Sequence, residues 1–206
     1  MNINVSNIQI PYEDFLARIG HLKSAPKPDG NTEMIIRESL DLAAKLINPK
    51  AAVIFADINI SGNAIVFEND FKIQSAQVAK LFDGCFKAYG AAVTIGGSLE
   101  KKRNDLIAKK ETLRAFFLDA AGSVAAEEAI ETVNAQIKEF EERSGNITTK
   151  RFSPGYGDWK LESQKEFLEW IGAKQIGIIL NSSFQMQPEK SVSAIIGVKT
   201  TINNYQ

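Results

Sequence analysis

The sequence predicts an α+β fold, an antiparallel sheet with one long helix packed against it. Two pairs of segments read as hairpins, Ala51–Phe55 with Ala64–Phe67 and Ile176–Met186 with Ser191–Thr200. Leu99 to Arg143 reads as helix nearly throughout, and strands and helices do not alternate in a regular β-α-β order.

Taken in order, Ile3, Val5, Ile8 and Ile10 alternate with one slip at Ser6-Asn7, which predicts a short strand over 3–10. Pro11 opens a helix whose stripe is Tyr12, Phe15, Leu16 and Ile19, and Gly20 stops it. Pro26, Pro28 and Gly30 mark Leu22–Asn31 as a loop; a second helix runs from Thr32 to Asn48-Pro49. Ser61-Gly62-Asn63 turns the first hairpin, with Asp57 and Asn59 as solvated polar groups beside it. Ser75 to Asp83 is helical and Cys85 to Ile95 a strand. Gly96-Gly97-Ser98 could present amides to an anion, but neither glycine-rich nucleotide pattern is present, and Ser98 as a helix cap accounts for it. The following helix breaks near Lys109-Lys110. Its second part keeps a helical period from Leu113 to Phe140, and Gly122, Ala125 and Ala126 thin its middle enough for a backbone or a ligand to approach. Ser144-Gly145-Asn146 ends it, Ile147–Phe152 is a strand, and Leu161 to Ile171 is an amphipathic helix stopped by Gly172. The tail Thr201–Gln206 is expected to be loose.

The 206 residues, 44 % of them hydrophobic, suffice for one fair-sized core. Lys+Arg of 24 against Asp+Glu of 25 leaves a net charge of -1, and no segment clusters basic and aromatic residues, which argues against nucleic acid and membrane surfaces as partners. The single cysteine, Cys85, excludes an internal disulfide and any cysteine-rich metal site, and with no histidine motif to activate it, Cys85 reads as a small core residue. His21, the only histidine, has no partner pattern for a metal and reads as a helix-end residue. With no secretory leader and no membrane-length apolar run, a cytoplasmic location is expected.

The stretch richest in binding chemistry is Arg151-Phe152-Ser153-Pro154-Gly155-Tyr156-Gly157-Asp158-Trp159. Pro154 restricts the backbone, Gly155 and Gly157 permit positive φ and close approach, and Tyr156 offers a flat face and a hydroxyl. Arg151 brings a planar, permanently charged fork suited to a carboxylate or phosphate. The same residues also suit a plain turn between a strand and a helix, with Arg151 solvated and Tyr156 packed.

Arg151-x-x-x-Gly155-Tyr156 resembles the Arg-x-x-x-Gly-Tyr-Pro signature of the activation domain of cobalamin-dependent methionine synthase. Ala92–Gly96 running into Leu99–Lys102 resembles that domain's strand-to-helix junction, and Lys190–Ala194 its late strand. The resemblance covers roughly residues 88 to 198, with Gly157 where the family has Pro. It implies a bent sheet, an N-terminal portion over 1–85 and an S-adenosylmethionine-binding portion over 86–206 of one domain. It also implies a site in which Arg151 meets the methionyl carboxylate, while Phe152, Pro154, Gly155, Tyr156 and Gly157 line the nucleoside and sulfonium. Glu127 or Glu128 would contact the amine or ribose, unless both belong to a solvated face.

The implied function is reactivation of an oxidised corrinoid on a separate cobalamin-dependent methyltransferase, such as methionine synthase, with an external electron donor. Cobalamin would be met only through that partner, because the Asp-x-His-x-x-Gly pattern of corrinoid-carrying proteins is absent: Ile19 and Ser24 flank His21 where Asp and Gly are required. The alternative is a non-catalytic interaction module that keeps the fold and has lost the ligand. An independent methyltransferase is weaker, since no general base stands beside the loop.

Overall fold

A computed structural model describes residues 3–22, 24–68 and 71–201. Its centre is a six-stranded antiparallel sheet in the order β3-β2-β1-β4-β8-β5: β1 (Lys50–Ser61), β2 (Ala64–Phe67), β3 (Lys72–Gln74), β4 (Lys87–Thr94), β5 (Asn146–Thr148) and β8 (Ser191–Thr200). A two-stranded ribbon, β6 (Ile179–Leu180) with β7 (Met186–Gln187), stands apart. β1 changes partner along its length. Lys50 to Asp57 pair with β4, and Ile58 to Ser61 pair with β2. The predicted α+β class and the hairpin at Ser61-Gly62-Asn63 are what the structure contains.

Alternation on the two central strands divides the core. Tyr89, Ala91 and Val93 of β4, with Ala194, Ile196 and Val198 of β8, face the helices α1 (Tyr12–Arg18), α2 (Gly30–Leu46), α4 (Ser98–Ala108) and α5 (Thr112–Glu142). Ala88, Ala92 and Ile195 face the other way, toward Trp159, α3 (Ala76–Leu81) and α6 (Gln164–Ile171). Burial on both faces is what makes these strands read as nearly continuous apolar runs. α5 spans 31 residues. Its buried Ala120, Ala121, Gly122, Ala125, Ala126 and Ala129 let it lie close against its neighbours.

Several expectations need correcting. Residues 3–10 form no strand. Gln136 of α5 brackets the backbone of Asn4 with both ends of its amide, accepting from its N–H at 2.9 Å and donating to its carbonyl at 2.7 Å, so the segment lies across a helix instead of entering a sheet. Ser191–Thr200 does not form a hairpin with Ile176–Met186. It pairs instead with β4 and β5, and only Ile179–Leu180 of the earlier segment pairs with Met186–Gln187. Ile147–Phe152 is extended only as β5 and a single bridge at Phe152, and Gly97, not Ser98, sits at the cap of α4. The helix break is real: Lys110 has φ 63° between α4 and α5. Beyond Thr201, the tail lies outside the described residues.

Gly90 of β4 shows how tightly α6 sits on the sheet. A methyl group built there collides with the ring of Trp170, which itself stacks on Phe71 at 5.0 Å. Gly90→Ala, although better suited to a strand, is expected to cost about 1–2 kcal/mol by overpacking, read from the urea midpoint at unchanged m.

Candidate functional site

Loop 151–159 is tied at both ends. Phe152 and Ile195 of β8 exchange backbone hydrogen bonds at 3.0 and 2.7 Å, and the Ser153 hydroxyl donates to the Ser193 carbonyl at 2.6 Å. Pro154 is buried, and Trp159, 1 % exposed, anchors the far end. Between them the chain turns through Gly155 (φ 88°) and Gly157 (φ 55°), and Tyr156 projects 68 % exposed. Proline fixes φ near -65° and could not adopt the angle at 157, which is a local reason for glycine where the resembling family has Pro. A side chain at 157 would also strike the Gln77 amide.

Asp158, which the sequence reading did not single out, fastens the loop to α3. Its carboxylate accepts from the Ser75 hydroxyl and from the N–H groups of Ala76 (2.7 Å) and Gln77 (3.3 Å). The Ser75 bond, then the amides, hold its carboxyl below the usual range against the opposing effect of burial.

Arg151 lies against α5. Its Nη2 donates to Glu127 Oε2 at 2.6 Å and its Nε to Glu131 Oε1 at 2.7 Å. Burial works to lower the guanidinium pKa, but the two carboxylates outweigh it and raise it. Of the two predicted glutamates, then, Glu127 joins Arg151 and Glu128 does not. Residues 127 and 131 share a helix face at four-residue spacing, while 128 is turned by about 100°. Glu128 points toward α1, where burial first, then Asp14, Glu131 and Glu127, push its carboxyl up.

A shallow depression of about 380 Å³ is bordered by Asp14, Arg18, Ser123, Glu127 and Glu128, so Glu127 faces both it and Arg151. Around it stand four carboxylates (Asp14, Glu127, Glu128, Glu131) and two guanidiniums (Arg18, Arg151). Such a site favours a ligand of net positive charge.

The stripe on α5 that carries Glu127 and Glu131 extends back to Ser123 and Asp119. Lys190 donates to Ser123 at 2.9 Å and pairs with Asp119 at 3.0 Å; Arg103 pairs with both Asp119 and Glu189 at 2.7 Å. The thin middle of α5 is thus partly filled. A methyl at Gly122 would fall 2.8 Å from Leu99, so a neighbouring helix uses that approach. Nor do the amides of Phe152, Gly155 and Tyr156 point outward, since they donate to Ile195, Trp159 and Ser153. Among the described residues, the carbonyls of Pro154 and Gly155 carry no hydrogen bond. The N–H groups of Ser153 and Gly157 likewise carry none, so the loop offers a ring together with both acceptors and donors.

Elsewhere, Cys85 is packed beside Phe82 under Gly197, and burial pushes its thiol up to about 11. Among the described residues no group of three His, Cys, Asp or Glu could hold a metal ion, and no helix is long and apolar enough to cross a membrane.

No family model matches the chain, and no curated protein matches it in sequence. Among solved structures it is similar to the crystal structure of the MetH reactivation domain bound to AdoHcy, with a TM-score of 0.67 and 16 % identity over 95 % of this chain and 71 % of that one. At 95 % coverage of this chain the match takes in most of residues 1–85 as well as the part after them. At that identity the likeness speaks for architecture alone: the chain has the fold of the MetH reactivation domain.

Proposed function

We propose that the chain binds S-adenosylmethionine between loop 151–157 and α5 and supports reductive methylation of an oxidised corrinoid on a separate cobalamin-dependent methyltransferase such as methionine synthase. The observation that carries this reading is the shared fold with a domain solved with AdoHcy, joined to the convergence of Arg151 and Glu127 beside an exposed Tyr156.

The residues present fit such a ligand. Arg151 uses Nε and Nη2 on the glutamates, so Nη1 is left for a methionyl carboxylate. Glu127 and Glu131 complement the ammonium and sulfonium, Tyr156 offers a stacking face, and the carbonyls of Pro154 and Gly155 suit the amino group of adenine. The bound molecule supplies the methyl group, and an external donor supplies the electron. The chain's own work is to hold the ligand and orient it toward the partner. On this reading, residues 86–206 carry the loop and α5, while 1–85 contribute α1 and its Asp14 and Arg18.

Calorimetric titration tests binding. S-Adenosylmethionine, with net charge +1, is expected to bind saturably and more tightly than the neutral S-adenosylhomocysteine, and the difference should shrink with added salt. Absence of heat and of thermal stabilisation at millimolar S-adenosylmethionine would refute it. Reactivation is tested separately: with a cobalamin-dependent methionine synthase lacking its own such domain, a reductant and S-adenosylmethionine, the chain should restore turnover, and failure to do so removes that half of the proposal.

The second reading is the interaction module without ligand. What favours it is that Arg151 already holds two carboxylates and that the amides of Phe152, Gly155 and Tyr156 already donate within the protein.

A further inference from the structure

On the face of the sheet opposite α5, a cleft of about 590 Å³ opens between α6 and the β6–β7 ribbon. Its wall is apolar, formed by Leu168, Ile178, Leu180 and Phe184, and Ile179 stands 53 % exposed at its lip. Lys165 and Lys174 border it, both exposed, and among the described residues neither has a carboxylate within ion-pair distance. Glu169 is the one acid on the lining, so two lysines face one glutamate. The volume falls within the range of small-molecule sites, roughly 300–1,000 Å³, and the chemistry is that of an apolar slot with a cationic edge.

Phe184 makes a second, independent observation. Its φ of 58° is left-handed, a conformation in which an aromatic residue is strained and glycine is not. The turn is built to hold it there. The Asn181 side chain accepts from the N–H groups of Ser183 (2.9 Å) and Gln185 (3.0 Å), and the buried Gln164 amide donates to the Phe184 carbonyl at 2.8 Å. The residue so held lines this cleft and also a neighbouring one of about 650 Å³. Backbone strain of this kind persists where surrounding structure enforces it, and ligand clamps are one such place.

We propose that this cleft binds a small amphipathic anion, its aliphatic or aromatic body against Leu168, Ile178, Leu180 and Phe184 and its carboxylate or sulfonate toward Lys165 and Lys174. The site is separate from loop 151–157 and does not depend on the reading given to that loop.

The test uses the full chain and the fluorescence of anilinonaphthalene sulfonate, with decanoate and decanol as competitors below their aggregation limits. One saturable site is expected, with decanoate displacing the dye about tenfold more effectively than decanol. Ile179→Glu, at an exposed position, should weaken dye binding about tenfold at an unchanged thermal midpoint. Reversing both lysines, Lys165→Glu with Lys174→Glu, should abolish the preference for decanoate. Phe184→Gly should weaken binding to a similar degree while the midpoint holds or rises, because the turn is relaxed as the ring is lost. Dye uptake that does not saturate, or that ignores Ile179→Glu, the lysine reversal and Phe184→Gly, would overturn the assignment.

Discussion

Arg151→Ala is expected to weaken S-adenosylmethionine binding by about 30-fold, roughly 2 kcal/mol, while changing folding stability by less than about 1 kcal/mol. The asymmetry follows from where the guanidinium lies. Its side chain is 28 % exposed and its partners Glu127 and Glu131 are 57 % and 49 % exposed, so water and salt screen both pairs and their net contribution to folding is small. A ligand that covers the fork changes that environment. The charge-assisted bond to its carboxylate then forms out of water, and truncation leaves that carboxylate facing two glutamates with no cation between them. Arg151→Lys keeps the charge but not the planar fork. It should restore stability more fully than affinity, since one ammonium cannot serve Glu127, Glu131 and a ligand in the same geometry. Equal affinity in wild type and Arg151→Ala would remove the carboxylate from Arg151. A large loss of stability in the same variant would mark Arg151 as a staple between the loop and α5, the arrangement an interaction module needs.

Local signals made most of the architecture legible. The turn at Ser61-Gly62-Asn63 produced the β1–β2 hairpin, the helical period of Leu113 to Phe140 lies within α5, and the double lysine marked the break where Lys110 has positive φ. What escaped was pairing between distant segments. Periodicity says which face a strand buries, not which strand lies beside it, so Ser191–Thr200 was matched to its sequence neighbour although its partner is β4. Its burial is the missed clue: Ser193 to Val198 is buried on both faces, as a central strand is and the arm of an exposed ribbon is not.

The candidate site divides the same way. Arg151, the glycine turn and the exposed Tyr156 were visible in the residue types. Glu131 belongs to no motif, yet it lies one helical turn beyond Glu127 on the same face, and the four-residue spacing Asp119, Ser123, Glu127, Glu131 is the signal in the sequence that marks it. Asp14 could not have been found by spacing, because it reaches the site from α1, and Asp158, although it lies in the loop, shows its role only where the folded chain brings it to the start of α3.

Glu141→Ala is expected to show the reverse pattern, a loss of about 3 kcal/mol of stability with S-adenosylmethionine affinity unchanged within about twofold. Glu141 is 1 % exposed near the end of α5, where it pairs with Lys87 at 2.6 Å and accepts from the Tyr89 hydroxyl at 2.5 Å and from Asn146 at 2.7 Å. Removing the carboxylate strands three donors at once. The Lys87 side chain is 15 % exposed and keeps a route to water, which places the cost at the lower end of the roughly 3–5 kcal/mol seen when a buried pair is broken. For a chain of this length that is a fall of roughly 6–12 °C in the thermal midpoint. The pH dependence has a definite sign. Burial alone would raise the Glu141 carboxyl, but the bonds from Lys87, Tyr89 and Asn146 outweigh it and hold it below the usual range. A depressed folded value contributes stability that is fully present above the unfolded value of about 4.3 and is lost as pH falls through the folded one. The difference in urea stability between wild type and Glu141→Gln should accordingly be largest near neutrality and shrink below about pH 4.3; a difference that stays constant to pH 3 would mean the charge is not what matters there. Binding is spared because ten residues of helix, about 15 Å, separate Glu141 from Glu131, and the loop is held by β8 and α3 independently of that end. Arg151 and Glu141 therefore form a matched pair of tests on one helix, one expected to govern the ligand and the other the fold.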